Sequence, residues 1–266
     1  VTLRDSVIEG AVRMRPTLLP GLLDSVRLNL NHQRRDLRLF EIGKAFGAAH
    51  GEDGLPVERE LFSIILTGGD ALKKRMVSAR TLDFYDAKGA VEAALDAIGF
   101  ESVEFRDANV KHLRAGQTAA IYIDGGCIGT VGRLNEEISA EYKFKQPVYL
   151  TEIDLDAVFS RNTQPALYRP LPKYPSIIRD VSLLVDRATT FEDVRSAVID
   201  HGAEICRNVG FVDIFEGKGV EDSQRSLAIR LEYRSDERTL VDEEVAAVHE
   251  SILESLSKTL KVEQRP

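Results

Sequence analysis

The chain has 266 residues, 43% hydrophobic and 29% charged, which is typical of one large or two ordinary globular domains. No apolar run approaches the roughly 20 residues that span a bilayer, and two distant cysteines, Cys127 and Cys206, argue against a disulfide framework or a zinc cluster and favour the reducing cytoplasm. A net charge of −8 argues against a generally basic, nucleic-acid-binding surface.

After an N-terminal strand, the sequence predicts a helix over residues 14–31, because leucine and valine recur there on one helical face. Pro16 fits the first turn of such a helix, whereas Pro20 lacks an amide proton and predicts a kink or a restart. Periodicity alone leaves open whether this apolar face forms an internal core or a subunit interface. The residues on that face are Leu18, Leu19, Leu22, Leu23, Val26 and Leu30.

The following 120 or so residues predict a β-rich unit with one helix. The helix covers residues 84–98 and stops at Gly99, as glycine commonly stops helices. The polar residues 52–56 predict a hairpin tip, and Asp124-Gly125-Gly126 predicts a second hairpin between two apolar strands. The predicted strands are residues 37–43, 61–67, 119–123, 127–131 and 148–154.

A proline-rich stretch without periodicity, residues 161–175, predicts a linker between a first domain, 1–160, and a second domain, 176–266. The second domain reads strand, helix, strand, strand, helix, strand, which predicts a ferredoxin-like βαββαβ fold with two helices on one face of a four-stranded sheet. Its other face is expected to be open, as in RNA-binding modules of similar topology. Thr190 is the predicted N-cap of the first of these helices.

No group of residues has the spacing of a catalytic or metal site. The five histidines show no HExxH or His-x-His pattern. The adjacent carboxylates Glu136-Glu137 and Glu243-Glu244 point apart on a helix and favour a solvated face or a helix N-terminus. The glycine-rich residues 125–132 lie between strands, so they lack the helix N-terminus of a phosphate-binding loop.

Several segments, in order, resemble the C-terminal part of bacterial phenylalanyl-tRNA synthetase beta subunits. In the second domain, Arg179-Asp180-Val181-Ser182-Leu183-Leu184-Val185-Asp186 resembles the start of their ferredoxin-like anticodon-binding domain. Residues 14–23 are similar to the helix of the first class II synthetase motif, which lies at a subunit interface. The other similar segments are residues 83–89, 128–132, 211–219 and 238–245.

Residues 38–49 are similar to the second class II synthetase motif, in which a Phe-Arg-x-Glu pattern holds ATP through the arginine. Here Phe46 is followed by Gly47, and Ala49 stands in place of the glutamate. Neither a hydrogen atom nor a methyl group can clamp a triphosphate, which needs a bidentate cation. The resemblance therefore implies an α+β fold: an inactive class II synthetase-like antiparallel sheet with helices, followed by the ferredoxin-like domain.

The resemblance also implies partners and site residues. Enzymes of this family are heterotetramers of two alpha and two beta subunits that charge tRNA(Phe) with phenylalanine, using ATP and Mg²⁺ at the alpha subunit. We expect no cofactor, metal or catalysis in this chain alone, no membrane, and docking to the alpha subunit through Arg15, Leu19 or Asn29. The candidate tRNA-binding residues are Arg169, Lys173, Tyr174, Arg179, Asp213, Arg225, Arg230 and Arg234.

Two other classes of function remain open on the residues alone. From Pro170 onward the chain has 13 basic and 19 acidic residues, a balance of −6, which suits a small-metabolite-sensing ferredoxin-like module better than an RNA-binding domain. An apolar pocket would favour that alternative, and an open, locally basic sheet would favour RNA. A standalone enzyme is disfavoured because no nucleophile–base pair is visible.

Overall fold

A computed structural model describes residues 13–50, 54–69, 80–100, 102–161, 171–201, 204–217 and 219–265. The chain divides into two compact units, Val1–Leu167 and Tyr168–Pro266. The predicted linker, 161–175, falls largely outside the described residues, and residues 52 and 53 of the predicted hairpin tip, 52–56, also lie outside them. None of the helices in the described ranges combines the length and apolar character that crossing a bilayer requires.

The first unit is a six-stranded antiparallel sheet with helices on both faces, in the strand order β1-β2-β6-β5-β4-β3. Its elements are α1 (Leu19–Asn31), β1 (Leu37–His50), β2 (Pro56–Thr67), α2 (Phe84–Asp96), β3 (Glu104–Asp107), β4 (Leu113–Ile123), β5 (Gly126–Leu134), α3 (Glu136–Glu141), β6 (Val148–Asp154) and α4 (Leu155–Phe159).

The two faces of this sheet carry separate cores. On one face, α1 packs with Ile65 and Leu150, and on the other, α2 packs with Leu66 and Ile153. Strand β2 contributes to both cores, so it is buried on two faces. The predicted hairpin is confirmed: Asp124 and Gly125 have φ values of 48° and 74° and join β4 to β5.

Helix α1 begins at Leu19, five residues later than predicted. Pro20 lies in its first turn, where a missing amide proton costs nothing, so the predicted kink is wrong. No side chain of the helix caps its start. Instead, the carboxylate of Glu152 on β6 accepts hydrogen bonds from Leu18 N at 2.9 Å and Thr17 Oγ1 at 2.7 Å, so the sheet determines where the helix starts.

The second unit has the predicted βαββαβ order and a four-stranded antiparallel sheet ordered β10-β7-β9-β8. The N-cap predicted at Thr190 is confirmed and belongs to a capping box, because Thr190 and Asp193 exchange hydrogen bonds at the start of α5. Val241 provides no side-chain cap for α6. The elements are β7 (Ile177–Asp186), α5 (Phe191–Asp200), β8 (Cys206–Phe215), β9 (Gln224–Tyr233), α6 (Asp242–Leu260) and β10 (Glu263–Gln264).

Both helices of this unit pack on one side of the sheet. Side chains alternate along a strand, so Val181, Leu183 and Val185 of β7 join Ile229 and Leu231 of β9 in a core with α5 and α6. The intervening residues of each strand point to the opposite side. This arrangement confirms the predicted ferredoxin-like fold with one face free of helices.

Candidate nucleic-acid interface

The helix-free side of the second sheet, here called the open face, is built from rows of residues that pair across β7, β9 and β8. Strands β7 and β9 occupy the middle of the sheet, so their residues form the centre of the face. The four rows are Ile178–Glu232–Asn208, Asp180–Arg230–Gly210, Ser182–Ala228–Asp213 and Leu184–Ser226–Phe215.

Arg230 lies at the centre of the open face and is bound to Asp180 of the neighbouring strand. Its Nε and one terminal nitrogen each donate to a different carboxylate oxygen of Asp180, both at 2.7 Å. These bonds lower the pKa of Asp180 and raise the pKa of Arg230. The two side chains are 50% and 51% exposed, and Gly210 on the far side of Arg230 adds no side chain, so the guanidinium is open to a ligand.

An aromatic ring and a second guanidinium lie at the other end of the open face. The Arg265 guanidinium is 5.1 Å from the centre of the Phe215 ring, a cation–π distance. Arg265 approaches from the β10 edge, where its backbone amide donates to Ser182 O at 2.8 Å, whereas Phe215 ends β8 at the opposite edge. Between these groups and Arg230 lies the row of Ser182, Ala228 and Asp213, in which Ser182 and Ala228 have small side chains.

Sequence reasoning missed both Phe215 and Arg265. Phe215 belongs to a strand whose alternation is broken by a register shift between Phe211 and Asp213, so period-two counting assigns its face incorrectly. Arg265 follows a strand of only two residues. The sequence shows that Phe215 and Arg265 belong to the same predicted domain. It does not show that they are in contact, which requires the strand register.

Of the eight predicted tRNA-binding residues, the structure brings Arg230 and Asp213 together on the open face. Asp213 lies opposite Ala228, and one of its carboxylate oxygens accepts the Ile214 amide at 2.8 Å. Lys173 is exposed and Tyr174 half-buried in the segment before β7. Arg169 lies outside the described residues.

The other three predicted residues have intramolecular partners away from the open face. Arg179 pairs with Leu231 on the helix-covered side and binds Asp242 at 2.6 Å. Arg225, on the same side, donates to Thr189 O at 2.5 Å. Arg234 follows the end of β9 and lies 3.8 Å from carboxylate oxygens of Glu232 and Asp236. An RNA lying across the open face would not reach Arg179 or Arg225.

Ion pairing within the unit engages most of its arginines. Most of its described arginines are bound to carboxylates of the same unit, as Arg187 is to Glu216 and Arg238 is to Glu244. Within the described residues, Arg265 contacts an aromatic ring and no carboxylate. The open-face rows carry three carboxylates, Asp180, Asp213 and Glu232, and the cations there are Arg230 and Arg265, so a ligand meets two separate guanidinium groups and not a continuous basic surface.

The three predicted interface residues of the first unit lie at the base of α1 or within it. Arg15 binds Glu41 at 2.6 Å and donates to Lys44 O at 2.9 Å. Leu19 is only 7% exposed and belongs to the core under α1, so it is not available at the unit's surface. Asn29 is half-buried and donates to Ser25 O at 2.9 Å.

The outward side of α1 carries small and apolar residues beside the exposed Asp24–Arg27 ion pair. Gly21 and Ser25 are exposed, and a Cβ added at Gly21 would meet no atom within 4 Å. Leu28, one turn further along, is 59% exposed. A helix with this outward surface permits close approach of another element.

The segment similar to the second class II motif, residues 38–49, forms nearly all of β1. Phe46, Gly47 and Ala49 lie in that strand, and the nearest atom to a Cβ built at Gly47 is the Val57 carbonyl oxygen of β2, 3.5 Å away. No cation stands at position 47 or 49 to bind a triphosphate. These residues do not fit ATP.

Comparison with known proteins assigns each unit to a family. A family model described as "Phenylalanyl tRNA synthetase beta chain CLM domain" matches residues 1–155, and one described as "Ferredoxin-fold anticodon binding domain" matches residues 172–265. A pyrrolysyl-tRNA synthetase structure from Desulfitobacterium hafniense aligns over 55% of this chain and 48% of its own, with 16% identity and a TM-score of 0.41, a likeness too distant to bear on function.

Similar curated proteins are phenylalanine–tRNA ligase beta subunits. That of Staphylococcus saprophyticus is 35% identical over 93% of this chain and 31% of its own length. Those of Bacillus subtilis and Symbiobacterium thermophilum are each 34% identical, over 92% and 100% of this chain and 30% of their own lengths. This chain thus spans about a third of these relatives.

These matches cover both units and confirm the predicted resemblance. They do not favour the alternative of a metabolite-sensing module, since the match over the second unit is to an anticodon-binding domain. The chain belongs to the phenylalanyl-tRNA synthetase beta chain family.

Proposed function

We propose that this chain takes part in the charging of tRNA(Phe) as a portion of a phenylalanine–tRNA ligase beta subunit. Its second unit binds the anticodon region of the tRNA, and its first unit docks the catalytic alpha subunit. The observation that carries the RNA-binding role is the open face, where Arg230 and the Arg265–Phe215 pair flank the small residues Ser182 and Ala228.

The chemistry of these groups suits single-stranded RNA. Guanidinium groups bind phosphates or stack on bases, and an aromatic ring offers a stacking surface. The small side chains of Ser182 and Ala228 leave room for a flat base to approach the sheet between the two cationic groups. Loops with unstacked bases are the usual targets of sequence-specific RNA recognition, and the anticodon loop is of this kind.

The first unit has a supporting role in this proposal and no catalytic one. Its counterpart of the ATP-binding motif has glycine and alanine at positions 47 and 49, so ATP and Mg²⁺ act at the catalytic subunit. The outward side of α1, with Gly21, Ser25 and Leu28, is the proposed docking surface for that subunit. The purified chain should give no ATP–pyrophosphate exchange, and exchange above background would overturn this part.

Charge reversal at Arg230 tests the RNA-binding role. Arg230→Glu should weaken binding of the chain to tRNA(Phe) and lower the slope of log K against log salt by about 0.7 for one lost single-stranded phosphate contact. The matched control is Arg195→Glu, since Arg195 binds Glu192 on the helical side at 3.0 Å. Equal affinities of the two variants would contradict the proposal.

A further inference from the structure

Within the described residues, Arg230 is the one cation at the centre of the open face, and Asp180 is bound to it. Asp180 uses both carboxylate oxygens, and Arg230 uses Nε and a terminal nitrogen, each at 2.7 Å. This is the two-pronged geometry with which arginine also binds a phosphate. A phosphate that bound Arg230 in the same way would have to take the place of Asp180.

Separating Arg230 from Asp180 requires little free energy because the pair is exposed. Both side chains are about half exposed, and exposed ion pairs contribute little because water screens them. The exchange still has a cost in affinity. After it, the Asp180 carboxylate remains on the neighbouring strand, opposite Arg230 in register, where it repels the incoming phosphate.

We propose that Asp180 is an intramolecular competitor for the phosphate-binding site on Arg230, and that it holds down the affinity of the open face for any RNA. This inference rests on the proposed RNA-binding function and names a residue that limits it. An RNA gains from Arg230 only where other contacts, such as stacking at Phe215 and Arg265, hold its phosphate in place. Asp180 thus makes binding depend on several contacts at once.

The charged neighbours of the pair are consistent with this role. Glu232, in the adjacent row of β9, lies 3.8 Å from Arg234. Asp213, one row to the other side, accepts its own strand's amide at Ile214. Neither carboxylate is bound to Arg230 in the structure, so Asp180 alone among these three neutralises it.

Removal of the carboxylate without a change of shape is the direct test. Asp180→Asn should tighten binding of the whole chain to a short oligouridine by up to about fivefold, the scale of an exposed ion pair. The slope of log K against log salt should steepen by about 0.7 for one added phosphate contact. Asp180→Ser, which frees Arg230 in another way, should give the same tightening.

The matched control removes an equal charge elsewhere. Asp242→Asn frees Arg179 on the helix-covered side, so it should leave oligouridine binding unchanged. In an Arg230→Gln background, Asp180→Asn should have no effect, because the site for which it competes is gone. Thermal unfolding of each variant checks that the sheet is intact.

The two sets of outcomes separate this inference from the proposed function. Asp180→Asn binding oligouridine no more tightly than Asp242→Asn would overturn the inference, whatever the tRNA result. Tightening that disappears with Arg230→Gln would support it. The proposed function fails separately, if the unaltered chain binds tRNA(Phe) no better than the same transcript with a replaced anticodon.

Discussion

Glu152 joins β6 to the start of α1, and its removal should destabilise the first unit more than that of any exposed carboxylate. Thr17 Oγ1 lies 2.7 and 2.8 Å from its two carboxylate oxygens, and Leu18 N and Ser63 Oγ lie 2.9 and 3.1 Å from Oε1. Glu152→Ala leaves these three donors without this acceptor.

The expected loss follows from the cost of unsatisfied donors. A buried donor without a partner costs about 1–3 kcal/mol. The two hydroxyls can rotate towards other acceptors and the site is only partly buried, so the expected loss for Glu152→Ala is about 3 kcal/mol in total. Glu152→Gln keeps one oxygen acceptor and should lose about 1 kcal/mol.

Two measurements check this prediction. Denaturant unfolding gives the free energy of unfolding of the first unit, and hydrogen exchange at Leu18 and Leu19 reports local opening of the start of α1. Glu104→Ala is the control, because Glu104 is 57% exposed and is bound to the neighbouring Arg106. A loss for Glu152→Ala no larger than that for Glu104→Ala would refute the reasoning.

Three further predictions concern single sites. Gly129→Ala should destabilise the first unit strongly, because its Cβ would lie 2.3 Å from a backbone oxygen of β6. The control Gly89→Ala in α2, whose Cβ would meet no atom within 4 Å, should stabilise the unit by about 1 kcal/mol. Similar unfolding free energies of the two variants would contradict this prediction. Val241→Ser should add the missing cap of α6 and raise the unfolding free energy by about 1 kcal/mol; no gain in thermal stability would count against it. Burial and the nearby Arg179 lower the pKa of His249, so folding favours the neutral imidazole. The contribution of this group to the free energy of unfolding is complete above its unfolded-state pKa of about 6.5, and it is lost as pH falls through the lower folded-state pKa. The difference in melting temperature between the chain and His249→Gln should therefore change as pH falls below about 6.5. A difference that stays constant with pH would contradict this prediction.

Features that depend on near neighbours were predictable from the sequence. The hairpin at Asp124-Gly125 and the N-cap at Thr190 each involve residues within four positions of one another, so turn and cap chemistry are sufficient. The βαββαβ order of the second unit was also predicted from the sequence pattern of its segments. This order, in turn, implied an open face before any contact was known.

Features that depend on distant partners were not predictable in this way. The start of α1 is determined by Glu152, more than 130 positions away in the chain. The binding of Arg230 by Asp180 requires the register of β7 against β9. The approach of Arg265 to Phe215 requires, in addition, the register shift in β8. Spacing in the sequence carries no information on any of these contacts.

The central claim is that the open face of the second unit binds the anticodon region of tRNA(Phe). The most direct measurement is nuclease footprinting of a tRNA(Phe) transcript with this chain, repeated with Arg230→Glu. The account predicts protection of the anticodon loop that is weakened by the substitution. Protection confined to another part of the tRNA, or protection of the anticodon loop that is unaffected by Arg230→Glu, would contradict it.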